Sequence, residues 1–216
     1  MEGLRAAVGE INAAPQVPPA PPIVVIISGQ SGVGKDSVIR EVQKRRPNLH
    51  FVVTAASRAP RPGEVHGVDY LFVSKDEFEE WIREGRMLEH AVVYGEYKGV
   101  PRQQVDDALA KGTDVVLRLD VQGAATVRRV LPEAISIFLV ASSEEELVNR
   151  LVSRDTESAD KLLLRVETAR KEAERIKEFD YVVVNREGQM EEAVAAICGI
   201  IDAEKCKTSR RLRGQT

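Results

Sequence analysis

Ile23-Val24-Val25-Ile26-Ile27-Ser28-Gly29-Gln30-Ser31-Gly32-Val33-Gly34-Lys35-Asp36-Ser37 is the stretch that settles the architecture. Its first half is an unbroken apolar run, the pattern of a strand buried on both faces of a parallel sheet. Its second half has the spacing G-x-x-x-x-G-K, and from Lys35 the chain takes up a helical period. A glycine-rich turn between a strand and a helix is the setting in which this motif cradles phosphate. The glycines let backbone N–H groups converge on one anion, the helix N-terminus adds partial positive charge, and the lysine reaches the outer phosphates. A turn kept only for its shape has no reason to place Lys directly after the last glycine. Gly29, Gln30, Ser31, Gly32, Val33, Gly34, Lys35, Asp36 and Ser37 are therefore expected to hold the phosphates of a nucleoside triphosphate. The motif ordinarily continues with Ser or Thr, whose hydroxyl binds Mg2+, whereas Asp36 stands in that place and Ser37 follows. A carboxylate is also a hard oxygen ligand, so Asp36 is expected to bind Mg2+ directly or through a water. Asp120, at the end of a second apolar run, is the acidic partner expected at the metal.

Outward from this stretch, β-branched runs alternate with helical periods. That predicts an α/β chain of the P-loop NTPase fold, a parallel sheet core with helices on both faces. Strands are expected over 23–28, 50–53, 115–119, 135–140 and 181–184, and helices over 35–45, 102–111, 124–130, 144–152, 158–177 and 190–205. Pro101 opens and Gly112 closes one of these helices, and Ser143 with Glu146 has capping-box spacing ahead of another. Between 54 and 100 the pattern changes to short strands around one helix, with Ser74 and Glu77 as its capping pair and Gly85 as its stop. This reads as an inserted substrate lobe. From 142 to 177 the chain is helical and charged, with Arg150, Arg154, Arg165, Arg170 and Arg175 along it. Such a run is ordinarily a solvated face unless an anion lies opposite, and the phosphate turn supplies one.

With 216 residues, 43% hydrophobic and 30% charged, the chain has the composition of one folded domain with insertions. Its net charge of −3 gives no general attraction to nucleic acid. The apolar run is far short of the roughly 20 residues a bilayer requires, so no membrane span is expected. Cys198 and Cys206 fall about 12 Å apart on one predicted helix, beyond disulfide reach, which points to a reducing compartment. Residues 1–22, rich in Pro and Ala, read as a weakly ordered linker. With Arg5 set against Glu2 and Glu10, they lack the composition of a transit peptide. The basic end, 207–216, reads as a fraying tail.

Ser57-Arg58-Ala59-Pro60-Arg61-Pro62-Gly63-Glu64-Val65-His66-Gly67-Val68-Asp69-Tyr70, together with the phosphate turn, Asp120-Val121-Gln122-Gly123 and the spacing of Arg150, Arg154 and Arg165, resembles the guanylate kinases. The resemblance covers about 23–205, and Asp36 with Gly95-Glu96-Tyr97-Lys98-Gly99 is most similar to the plant plastid and mitochondrial branch. It implies ATP-dependent phosphorylation of GMP, with dGMP as a second acceptor, by in-line transfer with Mg2+ and closure of a lid. It divides the chain into a core (23–53, 101–141 and 178–206), a GMP-binding lobe (54–100) and a lid (142–177).

The same resemblance implies that Arg58, Arg61 and Tyr70 grip the phosphate of GMP, and two guanidiniums on a Pro-stiffened loop suit a dianion. Thr54 and Glu89 fall at the guanine, where a carboxylate accepts from N1–H and from the 2-amino group that adenine lacks. Glu64, Lys98, Asp120 and Gly123 complete the acceptor residues, and Asn185 borders the adenine of ATP. Lys35 and the lid arginines Arg150, Arg154 and Arg165 act on the transferring phosphoryl group. Three positions depart from the family pattern. Where Tyr is usual, Lys98 offers a point charge and Tyr97 stands beside it; where Ser or Thr is usual, Val100 has no hydroxyl; where an acid is usual, Arg118 is expected to pair with Asp36. His50, His66 and His90 read as structural or exposed. A monomer or weak dimer is expected, in a plastid or mitochondrion or else in the cytoplasm. The rival readings are a kinase for another nucleoside monophosphate, favoured by Lys98 and Val100, and a guanylate-kinase-like interaction module, against which Lys35, Arg58, Arg61 and Asp120 all speak.

Overall fold

The computed structural model describes residues 17–61, 63–93, 95–152 and 159–212. In chain order its elements are β1 (Val24–Gly29), α1 (Lys35–Arg45), β2 (His50–Phe51), β3 (Ala55–Ala56), β4 (Leu71–Phe72), α2 (Lys75–Arg83), β5 (Met87–Val93), β6 (Glu96–Pro101), α3 (Arg102–Ala110), β7 (Val115–Arg118), α4 (Val121–Val130), β8 (Ile135–Val140), α5 (Glu144–Val152), α6 (Ala159–Glu174), a 3-10 turn (Ile176–Glu178), β9 (Tyr181–Val184), α7 (Met190–Cys206) and α8 (Thr208–Arg211).

β1 is buried along its whole length and takes the centre of a parallel sheet of order β2-β7-β1-β8-β9. Val25 stands opposite Val116 of β7 and Ile135 of β8. Successive side chains of a strand point to opposite faces, so β1 feeds two apolar layers. Val25 and Ile27 pack with Val38, Val42, Ile197 and Ile201 of α1 and α7. Val24 and Ile26 pack with Val105, Ala124 and Val127 of α3 and α4. Both faces are covered by helices, which is why the strand carries no polar alternation. A second sheet, of order β4-β3-β6-β5, lies in the 54–100 segment with Phe78, Met87, Trp81 and Tyr97 as its small core. Leu88 and Val100 of its long hairpin belong to the larger core under α3 and α4, so the two sheets share packing.

Where element bounds differ from expectation, local hydrogen bonds give the reason. The strand expected over 50–53 stops at Phe51, because the side-chain amide of Gln104 pairs with both the N–H and the C=O of Val53 at 3.0 and 2.9 Å. The helix expected from 124 begins at Val121, because Asp120 caps it, one carboxylate oxygen accepting from the N–H groups of Gln122 at 2.9 Å and Gly123 at 2.8 Å. The helix expected over 158–177 is α6 followed by the 3-10 turn, with residue 158 outside the described residues.

The basic end is a correction to the sequence reading. Up to Leu212 it is docked rather than frayed, and residues 213–216 lie outside those described. Glu204 on α7 is 2% exposed, and Lys207, Arg210 and the hydroxyl of Tyr181 converge on its carboxylate. Lys205 reaches both oxygens of buried Asp114 at 2.7 Å. A buried carboxylate requires hydrogen-bond and cationic partners, and this end supplies them. Burial alone would raise the pKa of Glu204, but the bonds from Lys207, Tyr181 and Arg210 outweigh it and hold the group below the usual range. Glu204→Ala is expected to cost about 3 kcal/mol, because it removes the one acceptor shared by Lys207, Arg210 and the hydroxyl of Tyr181 and leaves the last two, partly buried, without it. Glu41→Ala removes only an exposed pair with Lys44 and should change stability by less than about 0.5 kcal/mol. Urea unfolding compares the two, and equal midpoints would make the docked end a passive appendage.

Candidate functional site

The phosphate turn lies at the carboxyl end of β1, where ligands bind in open parallel sheets. Three glycines of the turn, Gly29, Gly32 and Gly34, cannot be replaced without strain. Gly29 has φ +146, and a Cβ there would sit 2.3 Å from the carbonyl oxygen of Leu139. Gly34, at the entry of α1, has φ +90, the left-handed conformation that glycine adopts at no steric cost. Lys35 folds back over the turn, its ammonium donating to the carbonyls of Gly29 at 2.5 Å and Gln30 at 3.3 Å. Burial pushes its pKa below the ordinary lysine value, against the opposing pull of Glu172, Asp36 and Asp120. On the far side of the turn a cavity of about 240 Å3 is lined by Gly32, Gly34, Ser37, Arg150, Asn185 and Met190, among others. Asn185 is buried there, its side-chain amide donating to the backbone carbonyl of Val33 at 2.8 Å while its side-chain oxygen has no partner among the described residues.

A second cavity, of about 190 Å3, gathers most of the remaining expected residues: Lys35, Asp36, Thr54, Tyr70, Glu89, Lys98, Arg118, Asp120 and Gly123. Glu89, on β5, is 7% exposed. Burial, with Asp120 adding to it, pushes its pKa up to about 7. Gly123 makes room for this carboxylate, since a Cβ at Gly123 would meet its oxygen at 3.2 Å. Along β6 the period of two turns Lys98 toward the cavity and Tyr97 away from it. Tyr97 stacks on Phe78 with ring centroids 5.2 Å apart and donates its hydroxyl to Glu79 at 3.0 Å, so it is no stand-in for Lys98. Val100, 1% exposed, is spent in the core.

The loop before β4 holds its arginines apart. Arg58 grips Glu64 through two hydrogen bonds of 2.6 Å and lies 5.0 Å from the centroid of the Tyr70 ring. The bond from Arg58, aided by the N–H of Arg61, draws the pKa of Glu64 down to about 2. The side chain of Arg61 is exposed and is not among the residues lining the cavity. Arg118 does pair with Asp36, at 3.0 Å.

The expected lid arginines divide. Arg150 is built into the base of the donor site, donating to the carbonyls of Val33 and Asn185 at 2.9 Å each and to Glu146. In this position it braces the turn. Arg154 lies outside the described residues. Arg165 shares a face of α6 with Ala169 and Glu172, at the i, i+4, i+7 spacing of one helical stripe, and that stripe faces the turn. The amide of Gln30 donates to the carbonyl of Ala169 at 3.4 Å, and the N–H of Ser31 donates to the carboxylate of Glu172 at 2.6 Å. Glu172 went unnoticed in the sequence, where it was one acid in a charged helix; its place on the Arg165 stripe was the available signal. Its pKa is raised by burial, against the bond from Ser31 and the charge of Lys35.

A family model described as guanylate kinase matches residues 22–204. Over 211 residues the chain is 58% identical to "Guanylate kinase 2, chloroplastic/mitochondrial" of Oryza sativa subsp. japonica, a match that covers 97% of this chain and 74% of that protein. Over 188 residues it is 43% identical to a guanylate kinase of Clostridium tetani, covering 87% of this chain and 89% of the relative. The crystal structure of guanylate kinase from Anaplasma phagocytophilum superposes with a TM-score of 0.74 at 30% identity, covering 92% of this chain and 94% of the other. Glu172→Ala would free the N–H of Ser31 for a phosphate oxygen and remove a competing negative charge beside Lys35, and is expected to tighten ATP binding about tenfold. Glu172→Gln, which keeps an oxygen acceptor, should tighten it less. Calorimetric titration with ATP reads the difference, and an unchanged affinity in Glu172→Ala would make the contact incidental.

Proposed function

The chain belongs to the guanylate kinase family, and from that membership we propose how its residues carry out the ATP-dependent phosphorylation of GMP to GDP. It is a nucleoside monophosphate kinase with ATP as co-substrate. One observation carries the residue-level reading: Lys35 of the phosphate turn lines the same cavity as Tyr70, Glu89 and Lys98, so donor and acceptor meet in one cleft. ATP sits with its phosphates on residues 29–37 and its base toward Asn185, which lines the cavity beyond Gly34. GMP, or dGMP, enters the other cavity with guanine at Glu89 and Thr54 and its phosphate toward Tyr70, Lys98, Arg58 and Arg61. Residues 54–100 then serve as the acceptor lobe and 142–177 as the lid.

Phosphoryl transfer through a loose transition state depends on alignment and charge neutralisation more than on covalent chemistry from the protein. Lys35 supplies charge along the transfer line, and Arg165 reaches it from α6 as the lid closes and water is excluded. Mg2+ fits the donor set at the turn. Asp36 and Asp120 are hard oxygen ligands, and both line the cavity that Lys35 enters. That suits an ion which keeps most of its waters and takes phosphate oxygens. When bound, it would neutralise charge on the outer phosphates of ATP. A plastid or mitochondrial location follows from the likeness to the rice protein. The deciding assay is ADP release with ATP, Mg2+ and, in turn, GMP, dGMP, AMP, UMP and CMP. GMP should be the preferred acceptor, and a preference for any pyrimidine nucleotide or AMP would overturn the assignment of Glu89.

Glu89 also fixes the sign of a pH effect. The carboxylate form accepts from guanine and the protonated form does not, so guanine binding competes with a proton held with a pKa of about 7. Affinity for guanosine, which lacks the phosphate that titrates near 6, should rise about tenfold from pH 6 to pH 8, and affinity for GMP should rise at least as much. In the ligand-free protein the raised pKa works the other way on stability. The contribution of Glu89 is fully present below about 4.5 and is lost as pH rises through 7. Glu89→Gln should bind guanosine weakly at every pH and lose both slopes, as isothermal titration and thermal unfolding across pH would show.

A further inference from the structure

We infer that Arg118 is a ligand of the acceptor phosphate, held ready by Asp36; this rests on the guanylate kinase reading of the cleft. Arg118 stands at the end of β7, between the two halves of the site. One N–H donates to Asp36, next to Lys35 on the donor side, at 3.0 Å. Another donates to the carbonyl of Asp69 on the acceptor loop at 3.5 Å. Its guanidinium lies 5.0 Å from the ring centroid of Tyr70. Around the same ring stand Arg58 at 5.0 Å and Lys98 at 5.8 Å.

Three cations around one phenol repel one another, and such a gathering is stabilised by an anion placed among them. Arg58 waits on Glu64 and Arg118 waits on Asp36. The bland account makes Arg118 a strut for Asp36. Asp36 is 58% exposed, however, and an ion pair so open to water contributes little. The two hydrogen bonds also engage only part of the fork of donors that a guanidinium carries. A phosphate dianion at Tyr70 would offer that fork paired, charge-assisted bonds stronger than those it now makes. Arg118 would then let go of Asp36 as GMP arrives, and a single side chain would register the acceptor beside the residue that follows Lys35.

The test measures binding of GMP and of guanosine, without ATP or Mg2+, to the parent protein, Arg118→Gln, Arg118→Lys and Asp36→Ser, with thermal unfolding as the check on folding. Arg118→Gln should weaken GMP about 10- to 100-fold and leave guanosine within about twofold. Arg118→Lys, a point charge without the fork, should lose less. Asp36→Ser, which releases the guanidinium, should bind GMP more tightly. The KM for GMP in Arg118→Gln should rise while that for ATP holds. Equal weakening of GMP and guanosine would overturn the proposal, as would unchanged GMP affinity, or an Asp36→Ser loss matching that of Arg118→Gln. A parent protein that neither binds nor phosphorylates GMP would instead overturn the family reading of the cleft, and this proposal with it.

Discussion

Two nucleotides that each end in phosphate must be brought end to end, and their like charges oppose every step of the approach. The cleft answers with cations on a rigid frame: Lys35 from the phosphate turn, Lys98 from β6, Arg118 from β7 and Arg58 from the acceptor loop. Cations assembled in that way are themselves unstable without an anion. The ligand-free protein therefore carries internal counter-charges, with Glu64 on Arg58, Asp36 on Arg118, and Glu172 near Lys35. Each acid stabilises a cation where substrate will require it. Because a carboxylate is a weaker partner for a guanidinium fork than a phosphate dianion, the exchange can run forward when substrate enters.

This arrangement is only as accurate as the sheet that carries it. β1 delivers the turn and β7 delivers Arg118 and Asp120, and the two are neighbours in parallel register, with Ile27 opposite Arg118. Their spacing is set by backbone hydrogen bonds and by apolar layers on both faces, not by the polar groups themselves. Arg150 and Asn185 both hold the carbonyl of Val33, which fixes the turn from behind. The catalytic end of the sheet can therefore hold like charges close together because its geometry is determined elsewhere.

The features legible in the sequence were those encoded locally. The turn needs Gly29 and Gly34 for backbone shape and Lys35 at a fixed step, so neighbours in sequence suffice to announce it. The buried strand and its following helix were legible for the same reason, and so was the pairing of Arg118 with Asp36, because each departs from the expected residue type in a complementary sense. What was not legible depends on faces meeting across the fold. Glu172 meets Ser31 only once α6 crosses the turn. Glu204 looks like one more surface acid until Tyr181, Lys207 and Arg210 close around it. Asp120 was read for its charge alone, although it also starts α4. Arg150 was read by residue type as a lid arginine, and the backbone carbonyls of Val33 and Asn185 that it also holds were not legible.

The acceptor cavity also holds both signs of charge. Glu89 lies beside Gly123, and Lys98 and Arg118 crowd the ring of Tyr70. A nucleotide with hydrogen-bond donors on its base edge and a dianion at its other end matches this field in only one direction. Adenine turns a lone pair toward the acid where guanine turns N1–H, so the wrong base leaves a buried acceptor unpaired and loses more than the missing bond. Glu89 is suited to that discrimination by the burial that raises its pKa. The carboxylate is costly while it is buried without a donor, and on the proposed reading guanine would supply that donor. On the proposed placement of guanine, selectivity and the electrostatic strain of the cleft have one origin, a carboxylate held out of water beside Gly123.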